Sequence, residues 1–259
     1  MQTVPTSEGQ LSGNVLLYTK PEPLSVELHG NLGLVRSPRP FGYAMAAHAV
    51  PLHVTEFGPA SLTYPIIFGG DALAPLAVMS IRQNENLFIS DQGEFEVGAY
   101  VPAFIRRWPF VLANDDGQQK LIVCIDRAAE VLAVGGEVPL FENGQPSPFT
   151  QQAIQFCTDF ETERRRTEQF VQTLKSLDLL ENKQTTFTPR EPDGTAGAPI
   201  QLADYIAVSE EKLMALPAGK LAELHTTGAL RQIYAHLTSA LNWDRLVAKT
   251  TTRPVVANA

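Results

Sequence analysis

The chain has 259 residues, 44% of them hydrophobic and 19% charged, which is enough apolar material for a sizeable core without a metal or disulfide and too much for a disordered chain. Its net charge of −8, with no Lys/Arg stripe, argues against nucleic acid as a partner, because a phosphate backbone would meet an opposing field. No apolar run reaches the roughly 18 to 20 residues that a bilayer-spanning helix needs.

Residues 1–13 read as a disordered tail, and Asn14 to Tyr18 as the first ordered piece, closed by the breaker Pro21-Glu22-Pro23. VELHG and LGLVR then read as short extended pieces, whereas Val50 to Phe57 is too short for periodicity to separate helix from strand. Pro65 to Phe68, Leu76 to Ile81 and Leu87 to Ser90 carry β-type runs punctuated by Gly69-Gly70-Asp71 and Asp91-Gln92-Gly93, which predicts antiparallel strands. Pro102 to Trp108 predicts a short helix stopped by Pro109. Strands at Phe110 to Ala113 and Lys120 to Ile125 flank Asn114-Asp115-Asp116-Gly117, a hairpin signature.

The texture changes near Pro148. Ile154, Cys157, Phe160, Phe170, Leu174 and Leu177 recur at helical spacing, predicting one long amphipathic helix or two in tandem. Within it Arg164-Arg165-Arg166 is bracketed by Glu161, Glu163 and Glu168, a self-neutralising solvated face. Glu181 to Pro199 reads as a flexible connection with a small β excursion at Thr185 to Thr188. Ser209 caps a helix to Leu216, Pro217 starts another to His225, and Gly228 precedes a last helix over Ala229 to Ala248, leaving 249–259 as a loose tail. The order predicts an α+β protein, an antiparallel β-rich N-terminal half packed with a helical C-terminal half, as a single domain over 14–248 with its β-rich part at 14–147 and its helical part at 148–248. Cys124 and Cys157 each lie inside an apolar run, as buried reduced thiols do.

Several blocks also resemble, in order and wording, the SapC family of bacterial proteins, named for association with a surface layer. They are HAVPLHVTEFGPASLTYPIIF (His48 to Phe68), ENLFI (Glu85 to Ile89), GAYVPAFIRRWPFVL (Gly98 to Leu112), CIDRAAEVL (Cys124 to Leu132), GEVPLFENGQPSP (Gly136 to Pro148) and LHTTGALRQIYAHLTSALNWDRL (Leu224 to Leu246). The resemblance implies an accessory role linked to the bacterial surface layer or envelope and transfers no catalytic residue. The polar start MQTVPTSEGQLSGNVLLYTK has no secretory signal pattern, so a cytoplasmic location is expected, and a surface association would need a non-standard export route.

Two constellations are candidates for chemistry. His48, His53 and Glu56 offer two imidazoles and a carboxylate to a metal, although their spacing has no built-in geometry and Pro51 intervenes; histidines hydrogen-bonded to backbone are the plainer reading. Tyr100, Arg106, Arg107 and Trp108 offer guanidinium forks framed by aromatic faces, a ligand-binding set for an anion or carboxylate. The alternative is that one Arg pairs with Glu56, Glu85 or Asp126 while the rings fill the core.

GxGxxG and GxxxxGK[ST] do not occur, and Ser61, Ser80 and Ser90 lie outside any GxSxG elbow. His236, Tyr234 and Trp243 sit among Leu230, Ile233, Leu237 and Leu241, a stripe suited to a core or a partner face. The expected function is therefore a non-catalytic binding or accessory protein with a protein partner or a second copy of itself, and with no cofactor. The alternative is an enzyme using the His/Glu metal site or an Arg-lined pocket for an anionic substrate.

Overall fold

Antiparallel pairing organises every strand pair of the computed structural model, which describes residues 16–115, 120–188, 195, 197–198 and 200–253. The expectations for the tail 1–13, for Asn14 and Val15, for Asp116 and Gly117, for the end of the 181–199 connection and for 254–259 lie outside or largely outside the described residues, while 249–252 of the expected loose tail is helical. In chain order the elements begin with β1 (Pro21–Pro23), α1 (Val26–His29), β2 (Leu32–Leu34), β3 (Ala49–Pro51), a 3-10 turn (Val54–Glu56) and α2 (Phe57–Ala60). Next come β4 (Ile66–Gly69), β5 (Ala74–Val78), α3 (Ala103–Arg106), β6 (Phe110–Asp115), β7 (Lys120–Asp126), β8 (Leu132–Val134), β9 (Val138–Pro139), β10 (Phe141–Glu142) and β11 (Gln145–Pro146). The rest comprises α4 (Pro148–Ser176), β12 (Leu180–Phe187), β13 (Ile200–Val208), α5 (Glu210–Met214), α6 (Ala218–Thr226), α7 (Ala229–Ser239) and α8 (Asn242–Thr252). Antiparallel sheets dominate the first half and helices the second, the expected α+β class.

The chain forms two compact units, each drawn from separated segments. The first takes residues up to Pro40 together with Arg107–Thr162. It holds the sheets β1-β7-β6 and β8-β2-β9 and the hairpin β10-β11. Leu32, Phe110, Ile125, Leu140 and Cys157 form its core, with Phe149 and Ala153 of α4 packed against them. Gly33 and Gly136 approach so closely that a Cβ on Gly136 would lie 2.4 Å from the Gly33 carbonyl carbon, so neither position tolerates a side chain. Cys124 and Cys157 are free and buried, as expected, and burial pushes both thiols up to about 11.

The second unit takes Phe41–Arg106 and the chain from Glu163 onward. It carries the five-stranded sheet β12-β13-β4-β5-β3. Tyr64, Phe57, Phe68, Phe88, Leu52 and Met79 are fully buried in it, and Phe57 meets Phe170 of α4 edge-on at 5.8 Å.

Several local expectations are corrected. Pro21-Glu22-Pro23 is not a breaker but an edge strand paired with Asp126 to Cys124, a place where proline loses no ladder bond that solvent would not otherwise take. VELHG is helical rather than extended, because the Ser25 hydroxyl caps α1 by accepting from Leu28 N at 3.3 Å. Val50 to Phe57 is both forms in succession, the end of β3 and then a helical turn. Leu87 to Ser90 is not a strand: among the described residues its one ladder pairing is the isolated bridge Ile89 to Phe95.

The largest correction is at 181–187, which is strand β12 paired with β13 from Leu180↔Val208 to Phe187↔Ile200, with one shift of register between Thr185 and Thr186, not a flexible connection. Its polar, charged residues hide a one-sided strand whose exposure alternates. The last helix is likewise two. It breaks at Leu241 because the Asn242 side chain donates to the carbonyls of Ser61 (2.7 Å), Tyr64 (3.2 Å) and Ser239 (3.1 Å), a tertiary anchor that helical periodicity does not encode.

Candidate functional site

Glu56 ends the 3-10 turn that follows β3, and its carboxylate is buried at 6% exposure. A buried charge persists only where donors surround it, and here they do. Oε2 accepts from His53 N at 2.9 Å and stands 3.5 Å from His53 Nδ1. Oε1 accepts from the Tyr100 hydroxyl at 2.8 Å and from Ala103 N at 2.7 Å. Ala103 opens α3, so the carboxylate caps that helix.

Burial, reinforced by the negative Glu56 beside it, pushes the Tyr100 phenol up to about 12, which keeps it a proton donor throughout the physiological range. Two further hydroxyls hold the same segment: Tyr64 donates to the Tyr100 carbonyl, and Tyr43 to the Ile105 carbonyl at 2.9 Å. Tyr100 N in turn donates to Thr63 Oγ1 at 3.4 Å. Among the described residues the stretch from Gly98 to Arg106 has no strand partner, and side chains of Tyr43, Glu56, Thr63 and Tyr64 hold it.

His53 and Glu56 come together, but His48 is exposed, and its carbonyl accepts from Met79 N (2.7 Å) and Ser80 N (3.0 Å). Among the described residues no three His, Cys, Asp or Glu side chains form a group that could hold a metal, so the His48–His53–Glu56 set is not assembled. Tyr100 and Arg106 belong to the second unit and Arg107 and Trp108 to the first. Arg106 is exposed, its Nε donating to the Val101 carbonyl at 3.0 Å and its Nη2 lying 3.5 Å from the Tyr100 hydroxyl. Arg107 lies over the Phe160 ring at 4.3 Å and the Tyr18 ring at 5.6 Å, and Trp108 packs on the cluster of Tyr18, Val111 and Cys124.

The carboxylates weighed as arginine partners are otherwise engaged. Asp126 takes the amides of Thr19 (2.9 Å), Lys20 (2.8 Å) and Ala128 (3.1 Å). Glu85 takes Ser80 Oγ at 2.7 Å and faces Arg82 at 3.6 Å.

Sequence reasoning missed Tyr43, Thr63 and Tyr64, whose hydroxyls complete the clamp. Their only signal was position, since Thr63 and Tyr64 fall in the same quoted block as Glu56 and look there like ordinary strand residues. It also missed a cavity of about 620 Å³ in the second unit, between α4 and the α6–α7 junction.

The sequence model of the SapC family matches residues 24–246. The chain belongs to the SapC family. No curated protein and no solved structure matches it. The SapC region takes in elements of both units, with the Glu56–Tyr100 network and the cavity of the second unit inside it. No helix among the described residues of this SapC-family chain is long and apolar enough to cross a membrane.

Proposed function

We propose that this SapC-family chain is a non-catalytic binding or accessory protein of the bacterial surface layer or envelope, working through a protein partner. The envelope connection rests on the family name and its association with a surface layer. The non-catalytic part rests on one observation: Glu56 and Tyr100, the candidates with the most reactive chemistry, engage their polar atoms with each other, with the His53 amide and with the backbone of α3. A general acid or base needs a face turned to substrate, and here those atoms hold the fold.

The test is purification of the untagged protein from its own host, with fractionation of the envelope and native mass spectrometry of the eluate. Stoichiometric recovery with an envelope or surface-layer protein is expected. A bare chain in every fraction, or a chain retaining a substrate that it converts, overturns the proposal.

A further inference from the structure

The cavity of the second unit lies between two helical faces that do not close on one another. On α4, Arg166, Gln169, Phe170, Thr173 and Ser176 follow helical spacing and share one face, which Leu177 extends just past the helix end. Opposite them stand Lys220, Glu223, Leu224 and Thr227 of the α6 segment, again one face, and then Gly228 and Arg231 at the start of α7. Helices that meet through such stripes normally present apolar residues and zip together. Here the rims are polar, and the buried apolar residues Val54, Phe170 and Leu224 are set at the floor.

The charge of this groove runs against that of the molecule. In a chain of net charge −8, it gathers Arg166, Lys220 and Arg231 around the single carboxylate of Glu223. Lys220 already holds Glu223 at 2.9 Å, and Arg166 stands 3.9 Å from Glu163, a loose surface pair. Arg231 makes no ion pair among the described residues. Gly228, at φ 77°, starts α7 without a capping side chain, so the positive end of that helix adds to the same field. The volume falls within the roughly 300 to 1,000 Å³ of small-molecule sites, which pair apolar walls with a few convergent polar groups.

We propose that this groove binds a free small amphipathic oxyanion, with its phosphate or carboxylate head between Arg166 and Arg231 and its apolar body on Phe170 and Leu224. Guanidinium forks match the geometry of either head. The site is separate from the Glu56 network and needs no surface-layer partner.

Isothermal titration of the purified full chain with hexyl phosphate and hexanoate tests the proposal, beside inorganic phosphate and hexanol. One equivalent of an amphipathic anion is expected to bind more tightly than either control, with affinity falling as salt is raised. The double variant Arg166→Ala/Arg231→Ala is expected to lose about tenfold or more in affinity. Ala229→Phe keeps both cations but fills the groove, and should also abolish binding. Both variants are checked by circular dichroism and thermal melting, and because they alter exposed or half-exposed positions, each stands if the other does not fold. Equal affinity for hexanol, undiminished binding in a folded variant, or no binding of either anion overturns the proposal, as does capture by phosphatidylglycerol vesicles without binding of the free amphiphiles. Any of these failures leaves the accessory reading to its own test in host extracts.

Discussion

Replacing Glu56 separates a structural carboxylate from a catalytic one. Glu56→Ala removes the acceptor for three donors, His53 N, the Tyr100 hydroxyl and Ala103 N. Each orphaned buried donor costs about 1–3 kcal/mol, offset in part because a desolvated charge disappears, so a net loss of about 3–5 kcal/mol is expected. Glu56→Gln keeps an oxygen for Tyr100 and Ala103 but turns an NH2 toward His53 N–H, a single mismatch costing about 1–3 kcal/mol. Urea unfolding followed by circular dichroism gives the midpoints. Hydrogen exchange of the 98–106 peptide locates the damage, because α3 loses its cap.

A cycle with Tyr100→Phe sharpens the test. That substitution deletes one of the donors, so in the Glu56→Ala background it should cost less than in wild type, with a coupling of about 1–2 kcal/mol. A functional carboxylate behaves in the opposite way, since buried catalytic charges are commonly a burden on stability. Glu56→Ala within about 0.5 kcal/mol of wild type, with unchanged exchange at 98–106, would refute the structural assignment.

Three further outcomes follow from burial and placement. His236 is buried, accepts from Val208 N through Nε2 at 3.0 Å, and is pushed down to about 4 by desolvation and then by the charge of Lys183. Its folded value lies below its ordinary 6.5, so stability is fully present above about 6.5 and falls by about 3 kcal/mol as pH drops to about 4; unfolding midpoints across that window in wild type and His236→Leu check it, the variant being less stable at pH 7 and flatter in acid. Both cysteines have folded values raised to about 11 from 9.0, so their stabilising effect is complete below about 9 and is lost as pH rises to about 11; at pH 8 neither should react with a disulfide reagent until denaturant is added, and rapid labelling of the native protein would contradict their burial. Because His48 stands apart from His53 and Glu56, chelator treatment should leave the thermal midpoint unchanged and metal analysis of untreated protein should find less than one equivalent, whereas a chelator-sensitive, stoichiometric metal would show that the three do assemble.

Sequence was most legible where one local signal decided the outcome. The hairpin across 110–125 is one such place, the Ser209 cap and the long apolar stripe of α4 are others, and the cysteines followed from their apolar neighbours. It was least legible where a distant partner decides. LENKQTTF has the composition of a loop until β13 lies beside it, and the helix over 229–248 looks continuous until Asn242 reaches Ser61 and Tyr64. At the candidate site, sequence identified Glu56, His53, Tyr100 and Arg106 as unusual, but not what engages them, because two of the three donors to Glu56 come from positions 44 and 47 residues away.

The stretch from Ser80 to Arg106 explains why so many polar residues here look catalytic. It contains the buried side chains of Leu87, Phe88, Ile89, Phe104 and Ile105, yet its regular structure among the described residues is one bridge and one short helix. Buried irregular backbone still has to place its N–H and C=O groups, and side chains take the role that a sheet would otherwise fill. Asn86 accepts from Phe88 N at 3.0 Å and donates to the Ala44 carbonyl at 3.3 Å. Arg253 donates to the carbonyls of Asn86 and Ile89, each at 3.1 Å. Glu56, Thr63, Tyr64 and Tyr43 serve the rest of the stretch in the same way. A buried polar cluster of this kind is a requirement of the backbone before it is a sign of chemistry. Binding capacity is better sought where cationic side chains converge on a cavity without such a debt to the backbone, and in the second unit that place is the groove between α4 and the start of α7.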